Sequence, residues 1–168
     1  MLNSIKTDRL LLRPVRLEDA IDYHALETDP EVKRFLGGPS TCSLQHYQTA
    51  ITTGALGLAT TLAVITPDTE KFIGRCGFTE YVENAEPIGW EINVVLHRAY
   101  WDNGYATEIG RALIPRGFEL LHCERILGVV DAANLDSIRL CEKLQMKHVR
   151  DTMRYHRPAR VYAVARDV

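Results

Sequence analysis

The sequence predicts an α+β fold built on a mixed sheet. The main observation is the order of elements, which runs strand, helices, three strands, helix, strand, helix, two strands. That is not the regular alternation of a doubly wound fold. The length of 168 residues suits one domain spanning the whole chain. A composition of 46% hydrophobic and 25% charged residues is that of an ordinary globule, which excludes disorder and collagen-like repeats.

Each element has its own signal. Arg9–Val15 places Leu10, Leu11 and Leu12 before Pro14 and reads as a first strand. Glu18–Leu26 has helical charge spacing, with Leu17 and Ile21 at i, i+4. Asp29-Pro30 supplies a cap and a first-turn proline, so a second short helix is expected to run to about Phe35 and to end at Gly37-Gly38-Pro39. Ser43–Gly54 reads as a third helix with Leu44, Tyr47 and Ile51 on one face. The period then changes, and Thr60–Ile65, Phe72–Tyr81 and Ile88–Leu96 are strand-like runs parted by turn residues. A long helix from Gly104 to Leu121 turns Ile109, Leu113, Gly117, Leu120 and Leu121 inward, with Pro115 predicting a kink. Arg125–Asp131 is a β-branched run, Asn134–Leu144 a helix, and two strands near His148–Arg154 and Arg160–Arg166 finish the chain.

Several function classes drop out early. A net charge of −2 gives no overall attraction to nucleic acid or an anionic membrane. Lys6, Asp8 and Arg9 break up any signal-peptide core, and the apolar window from Gly54 to Ile65 is too short and too rich in Thr and Gly to span a bilayer. The four cysteines fit no CxxC or zinc spacing, so no metal is expected and they read as reduced thiols of a cytoplasmic protein. Tyr47, Tyr81, Trp90 and Tyr155 suit either a substrate cleft or the core, and His97 and His156 fall near the expected site edges.

Chemistry concentrates at two junctions. In the first, HRAYWDNG leads from a strand into the helix opening at Gly104-Tyr105-Ala106-Thr107. A turn there aims backbone N–H groups from the positive end of a helix, and Gly104 and Ala106 are small enough for a phosphate to come close. Neither a Walker sequence nor GxGxxG is present, which argues against ATP, NAD and a dinucleotide-binding oxidoreductase. In the second junction, Asp131-Ala132-Ala133-Asn134 ends a strand and starts a helix, and Asn134 reads either as a cap or as a ligand-binding amide.

Four segments, in order, resemble the GNAT superfamily of N-acetyltransferases, in the branch that contains the bacterial ribosomal-protein N-terminal acetyltransferases. They are TDRLLLRPVRLEDAIDYHALETDPEVKRFL, YWDNGYATE, NLDSIRLCEKL and RVYAVARD. The resemblance covers essentially the whole chain. It implies a mostly antiparallel mixed sheet flanked by helices and splayed at an acetyl-CoA site, and direct acetyl transfer to a primary amine of a protein N-terminus or a small molecule. Val94, Val95 and Leu96 would present backbone groups to the pantetheine arm and the thioester. Asp102, Asn103, Gly104, Tyr105, Ala106 and Thr107 would hold the pyrophosphate. Asn134 would bond the pantetheine arm with Ser137 beside it, and a backbone donor near Val95 would stabilise the oxyanion. Homodimers also occur in the family.

Direct transfer needs a base for the amine and a proton for the departing thiolate. Glu91, on the same side of its strand as Val95, is the first base candidate, or else a carboxylate that binds a cation or makes a structural hydrogen bond. Asp131 is the second. Many relatives carry a Tyr seven residues after the Asn where this chain has Cys141, a candidate acid or a small core residue. Some carry a catalytic Glu where this chain has Val129. Further departures are Trp101, Asn93 in place of a Gly before a strand bulge, His97-Arg98, and Gln145-Met146 in place of Gly-Phe. A non-catalytic module that binds CoA is the alternative these departures leave open.

The charge is unevenly spread. Residues 139–168 carry +5 and residues 1–138 carry −7. Between Cys76 and His97 lie Glu80, Glu83, Glu86 and Glu91 with no Lys or Arg. This predicts an acidic acceptor side beside a basic C-terminal part, or else solvated loop charge.

Overall fold

In the computed structural model, residues 3–55 and 60–166 are described. The strands are β1 (Ile5–Lys6), β2 (Leu11–Pro14), β3 (Thr61–Thr66), β4 (Lys71–Glu83), β5 (Glu86–Leu96), β6 (Arg125–Asp131), β7 (Lys147–Arg154) and β8 (Arg157–Ala165). The helices are α1 (Ala20–Thr28), α2 (Leu44–Thr53), α3 (Tyr105–Leu121) and α4 (Leu135–Lys143). One sheet runs β1-β2-β3-β4-β5-β6-β8-β7. Every neighbouring pair is antiparallel except β5–β6, so the expected mixed, mostly antiparallel sheet is what forms. The parallel pair holds only at Trp90–Ile126 and Glu91–Leu127, while β5 continues to Leu96 and β6 to Asp131. Past Glu91 the two strands splay.

Both faces of the sheet are covered, which explains why β3 is buried at five consecutive positions. On one face, Ile109, Leu113 and Phe118 of α3 pack on Leu12, Leu62, Val64, Ile73 and Phe78. Ile109 and Leu113 are fully buried, and each contributes roughly 1.5–3 kcal/mol by leaving water. A Cβ at Gly117 would stand 2.5 Å from Phe78 and 2.7 Å from Ile126, so this helix position admits only glycine at its present distance from the sheet. On the other face, Tyr23 and Leu26 of α1 and Tyr47 of α2 cover Ala63, Ile65, Phe72 and Val95.

Local chemistry sets the element ends. Ser43 accepts from the His46 N–H to start α2, and Gly54 closes it in the left-handed conformation. Asn84 and Ala85 both have positive φ in the two-residue turn joining β4 to β5, as do Tyr155 and His156 between β7 and β8. Pro115 lies inside one continuous 17-residue α3.

Three expectations are corrected. Asp29 does cap, accepting from the Glu31 N–H at 2.8 Å, but residues 30–37 form successive turns instead of a short helix. After one i→i+4 bond from Lys33 N–H to Asp29 O, the bonding changes to Leu36 N–H on Lys33 O, and Gly37 and Gly38 take positive φ. Leu17 and Ile21 are 51% and 66% exposed, and the buried face of α1 is instead Ala20, Tyr23, Leu26 and Glu27. The pairing of β4 with β5 is regular from Gly89 to Leu96, with its irregularity at Tyr81/Val82, so no bulge interrupts the strand at Asn93. Of the last quoted motif Asp167, and of the apolar window residues 56–59, lie outside the described residues. Among those described, no helix is long and apolar enough to cross a membrane.

Candidate active site

The splay between β5 and β6 opens a cleft of about 480 Å³. Val94, Val95 and Leu96 form one wall. The loop and first turn of α3 supply Asp102, Gly104, Tyr105, Ala106 and Thr107, and Asn134 and Ser137 come from the start of α4. Of the eleven residues expected to hold a cofactor, all but Asn103 line this one cleft, and Asn103 sits in the same loop. Because β6 has turned away, the β5 edge beyond Glu91 has no strand partner on that side. Such an edge can pair with the amides of an extended ligand.

The loop before α3 is shaped for an anion. A one-turn 3-10 helix, Arg98–Tyr100, leads into Asp102 and Gly104, both in the left-handed region at φ 60° and 76°. Gly104 is the N-cap and has no side chain to offer, so the first-turn amides are uncapped at the positive end of a 17-residue helix. At α4 the reverse holds, because Asn134 Oδ1 accepts from the Ser137 N–H at 3.1 Å. Asn134 is therefore a cap and a cleft residue together. Trp101 donates its indole N–H to Leu96 O at 2.8 Å, which ties the loop to the end of β5. Arg34, Arg139 and Lys143 bring positive charge to the cleft, and Glu31, Asp102 and Asp136 bring negative. A second hollow, of about 470 Å³ between α3, the end of α4 and β8, contains none of the expected residues.

The three catalytic candidates lie outside the cleft lining. Glu91 is buried, and its carboxylate accepts from Arg154 Nη1 at 2.6 Å. Burial raises its pKa above the usual carboxylate value although Arg154 pulls the other way. Arg154 also donates to Val129 O at 3.3 Å. Asp131 accepts from the Ala133 N–H at 2.9 Å and pairs with Arg157 at 2.6 Å. Cys141 is buried under β6, with its Sγ 3.2 Å from where a Cβ on Gly128 would lie. Burial pushes its thiol up to about 12.

The uneven charge along the chain resolves into pairs. Arg150 binds Glu83 at 2.7 Å, Arg154 binds Glu91 and Arg157 binds Asp131, so the basic C-terminal strands neutralise the acids of β4, β5 and β6. The expected division into an acidic side and a basic part is thus partly cancelled in three dimensions, with Glu80 and Glu86 remaining exposed and Arg139 and Lys143 lining the cleft. Tyr47 and Tyr81 belong to the core, whereas the aromatics in the cleft are Phe35, Tyr100, Trp101 and Tyr105.

Sequence reasoning missed a buried polar network. Glu27 of α1 accepts from Lys33 Nζ and from Arg75 Nε, both at 2.6 Å, and Arg75 Nη1 donates to Asn93 Oδ1 at 2.9 Å. Among the described residues, Asn93 Nδ2 is buried without a partner. The network anchors the segment that puts Glu31, Val32, Arg34, Phe35 and Leu36 into the cleft. Its bonded pairs are 6, 18 and 48 residues apart in sequence, so no local pattern could reveal it.

Comparisons with known proteins agree with this architecture. The family model described as an acetyltransferase (GNAT) domain matches residues 9–147. The uncharacterised N-acetyltransferase p20 of Bacillus licheniformis is 30% identical over 150 residues, covering 87% of this chain and 83% of its own. The spermidine N-acetyltransferase of Vibrio cholerae, solved in complex with CoA and spermine, superposes with TM-score 0.75 at 16% identity, covering 94% of this chain and 95% of that one. The ribosomal-protein-S5-alanine acetyltransferase of Vibrio fischeri superposes with TM-score 0.76 at 12% identity, covering 98% and 97%.

Proposed function

The chain belongs to the GNAT acetyltransferase family, and we propose that it transfers an acetyl group from acetyl-CoA directly to a primary amine, in a ternary complex. The observation that carries this reading is the splayed β5 edge and the uncapped α3 terminus meeting in one cleft.

The residues present fit such a cosubstrate. Its diphosphate matches the first-turn amides after Gly104, and its pantetheine amides match the free edge at Val94–Leu96. Asn134 and Ser137 face it from α4. When bound, acetyl-CoA supplies the activated thioester. A β5 backbone N–H near Val95 donates to the oxyanion as it develops. Glu91 takes the proton from the amine through water, and its raised pKa makes it a better base than an exposed carboxylate. Asp131, committed to its own turn and to Arg157, is the weaker candidate. Cys141, at about 12, is a poorer acid than an ordinary thiol of pKa about 8.5, so we assign it to packing, and the CoA sulfur leaves as thiolate or is protonated by water.

For the acceptor, Glu83 and Glu91 are already paired with Arg150 and Arg154, and Glu31, Asp102 and Asp136 in the cleft are balanced by Arg34, Arg139 and Lys143, which supports an amine carrying a single charge over a polyamine. Together with the motif resemblance, this favours the N-terminus of a protein, as in the ribosomal-protein branch. The test is CoA thiol release with N-terminal peptides, amino-acid amides and spermidine. Turnover that prefers peptides supports the whole reading. Turnover with spermidine alone overturns the acceptor class. The engagement of Glu91 by Arg154 favours a second reading, a CoA-binding module without catalysis, and CoA binding with no turnover across the panel would select it.

A further inference from the structure

The first residues of the opening motif have no role in the chemistry above, yet Thr7 and Arg9 reach the start of α3, about a hundred residues away. Resting on the acetyl-CoA reading, we propose that Arg9, with Thr7 and Glu108, is a clamp that positions the diphosphate-binding loop before cofactor arrives.

Glu108 stands in the first turn of α3. Its Oε1 accepts from Thr7 Oγ1 at 2.6 Å and from the Arg9 N–H at 2.8 Å, and its Oε2 accepts from Arg9 Nε at 2.8 Å. Arg9 Nη1 donates to Asn103 O at 3.0 Å, and its guanidinium lies 4.6 Å from the Tyr105 ring centre. Nη2 is 3.6 Å from the point a Cβ on Gly104 would occupy. One side chain thereby touches or borders three successive residues of the loop.

That loop needs holding. Asp102 takes a left-handed conformation that L-residues disfavour, Gly104 another, and no side chain caps the helix. Charge gives a second reason. Glu108 puts a carboxylate, held below its usual pKa by Thr7 and Arg9 against the effect of burial, in the helical turn that would bind a diphosphate. Arg9 neutralises that carboxylate. Without it, the loop loses its tether and the incoming phosphates meet an uncompensated negative charge. Arg9 is absent from the cleft lining, so it acts through the loop and is a positioning residue.

The experiment compares Arg9→Gln and Arg9→Lys with the unmodified chain. Dissociation constants for CoA and for pantetheine, which lacks the diphosphate, are read from quenching of tryptophan fluorescence, to which Trp101 in the cleft contributes. We expect Arg9→Gln to weaken CoA binding ~10-fold with pantetheine binding unchanged, and Arg9→Lys to recover part of the loss, since lysine restores charge without the fork. The KM for acetyl-CoA rises while kcat at saturation and the KM for the amine stay constant. Unchanged CoA affinity, or equal losses for CoA and pantetheine, overturns the clamp. Should Arg9→Gln fail to fold, Arg9→Lys carries the same two-ligand comparison. If the unmodified chain binds no CoA, the cofactor reading itself falls, and the clamp with it.

Discussion

Replacing Glu27 with Gln tests whether the buried network holds the acceptor side together. Glu27, Lys33 and Arg75 have side chains 9%, 10% and 17% exposed, and a single carboxylate serves both cations. Glutamine has one acceptor oxygen, so its amide N–H₂ must face one of the two donors. Breaking a buried pair by removing one partner costs about 3–5 kcal/mol, because the remaining charge cannot recover its water. Arg75 keeps Asn93 and is the most exposed of the three, which points to the lower end, about 3 kcal/mol. For a chain of this size, each kcal/mol shifts Tm by about 2–4 °C, so the expected loss is about 6–12 °C. Thermal melts at pH 7 by circular dichroism would measure it. Glu119→Gln serves as control: its pair with Arg116 is 60% and 59% exposed, and it should shift Tm by no more than about 2 °C. The Arg75 and Lys33 charges hold Glu27 below its ordinary pKa in spite of burial. Its contribution is therefore present above the ordinary carboxylate value and lost as pH falls through the lowered one, so the gap between variant and parent closes in acid. A Glu27→Gln melt as close to the parent as the control would refute the reasoning.

Cys141→Ala should leave kcat unchanged and cost about 1–2 kcal/mol in urea unfolding, as expected of a packing residue and not of an acid. Gly74→Ala should be costlier for the site than its size suggests. A Cβ there would lie 2.2 Å from Val95 O and 2.8 Å from Leu96 Cα, both backbone atoms of the cleft wall, so the KM for acetyl-CoA should rise and stability fall by about 1–3 kcal/mol. Glu91→Gln should abolish most turnover and remove the acid limb of the kcat/KM profile, a limb that begins above the ordinary carboxylate range because burial raises this group. Hydrogen bonds from Thr152, Arg150 and Tyr81 hold Glu83 at about 2, so its stabilisation persists above the ordinary carboxylate value and is lost as pH falls toward 2. Acid unfolding of the parent should accordingly take up a proton over that window, and that of Glu83→Gln should not.

Much of this protein was legible in its sequence because the relevant signals are local. Ser43, Gly54 and Asn134 mark helix ends by chemistry that acts over a few residues, and strand-like runs parted by turn residues mark β3 to β6. The candidate cleft was legible for the same reason: its parts are two strand-to-helix junctions, and each junction's turn chemistry can be read in place. The helix expected from Pro30 to about Phe35 does not form although its cap at Asp29 is real, because pairing of Lys33 with Glu27 and the left-handed glycines that follow decide the conformation. Leu17 and Ile21 share a helical spacing yet lie exposed, because such a spacing says which residues share a face, not which face meets the sheet. The sequence by itself determined the order of the main elements, the strand-to-helix turn ahead of α3 and the family. Tertiary structure alone decided where the charges went. Arg150, Arg154 and Arg157 meet Glu83, Glu91 and Asp131 only once the β7–β8 hairpin closes the sheet. Arg9 likewise meets Glu108 only once β2 and α3 share a core, and Coulomb energy depends on that distance in space, which separation along the chain does not set.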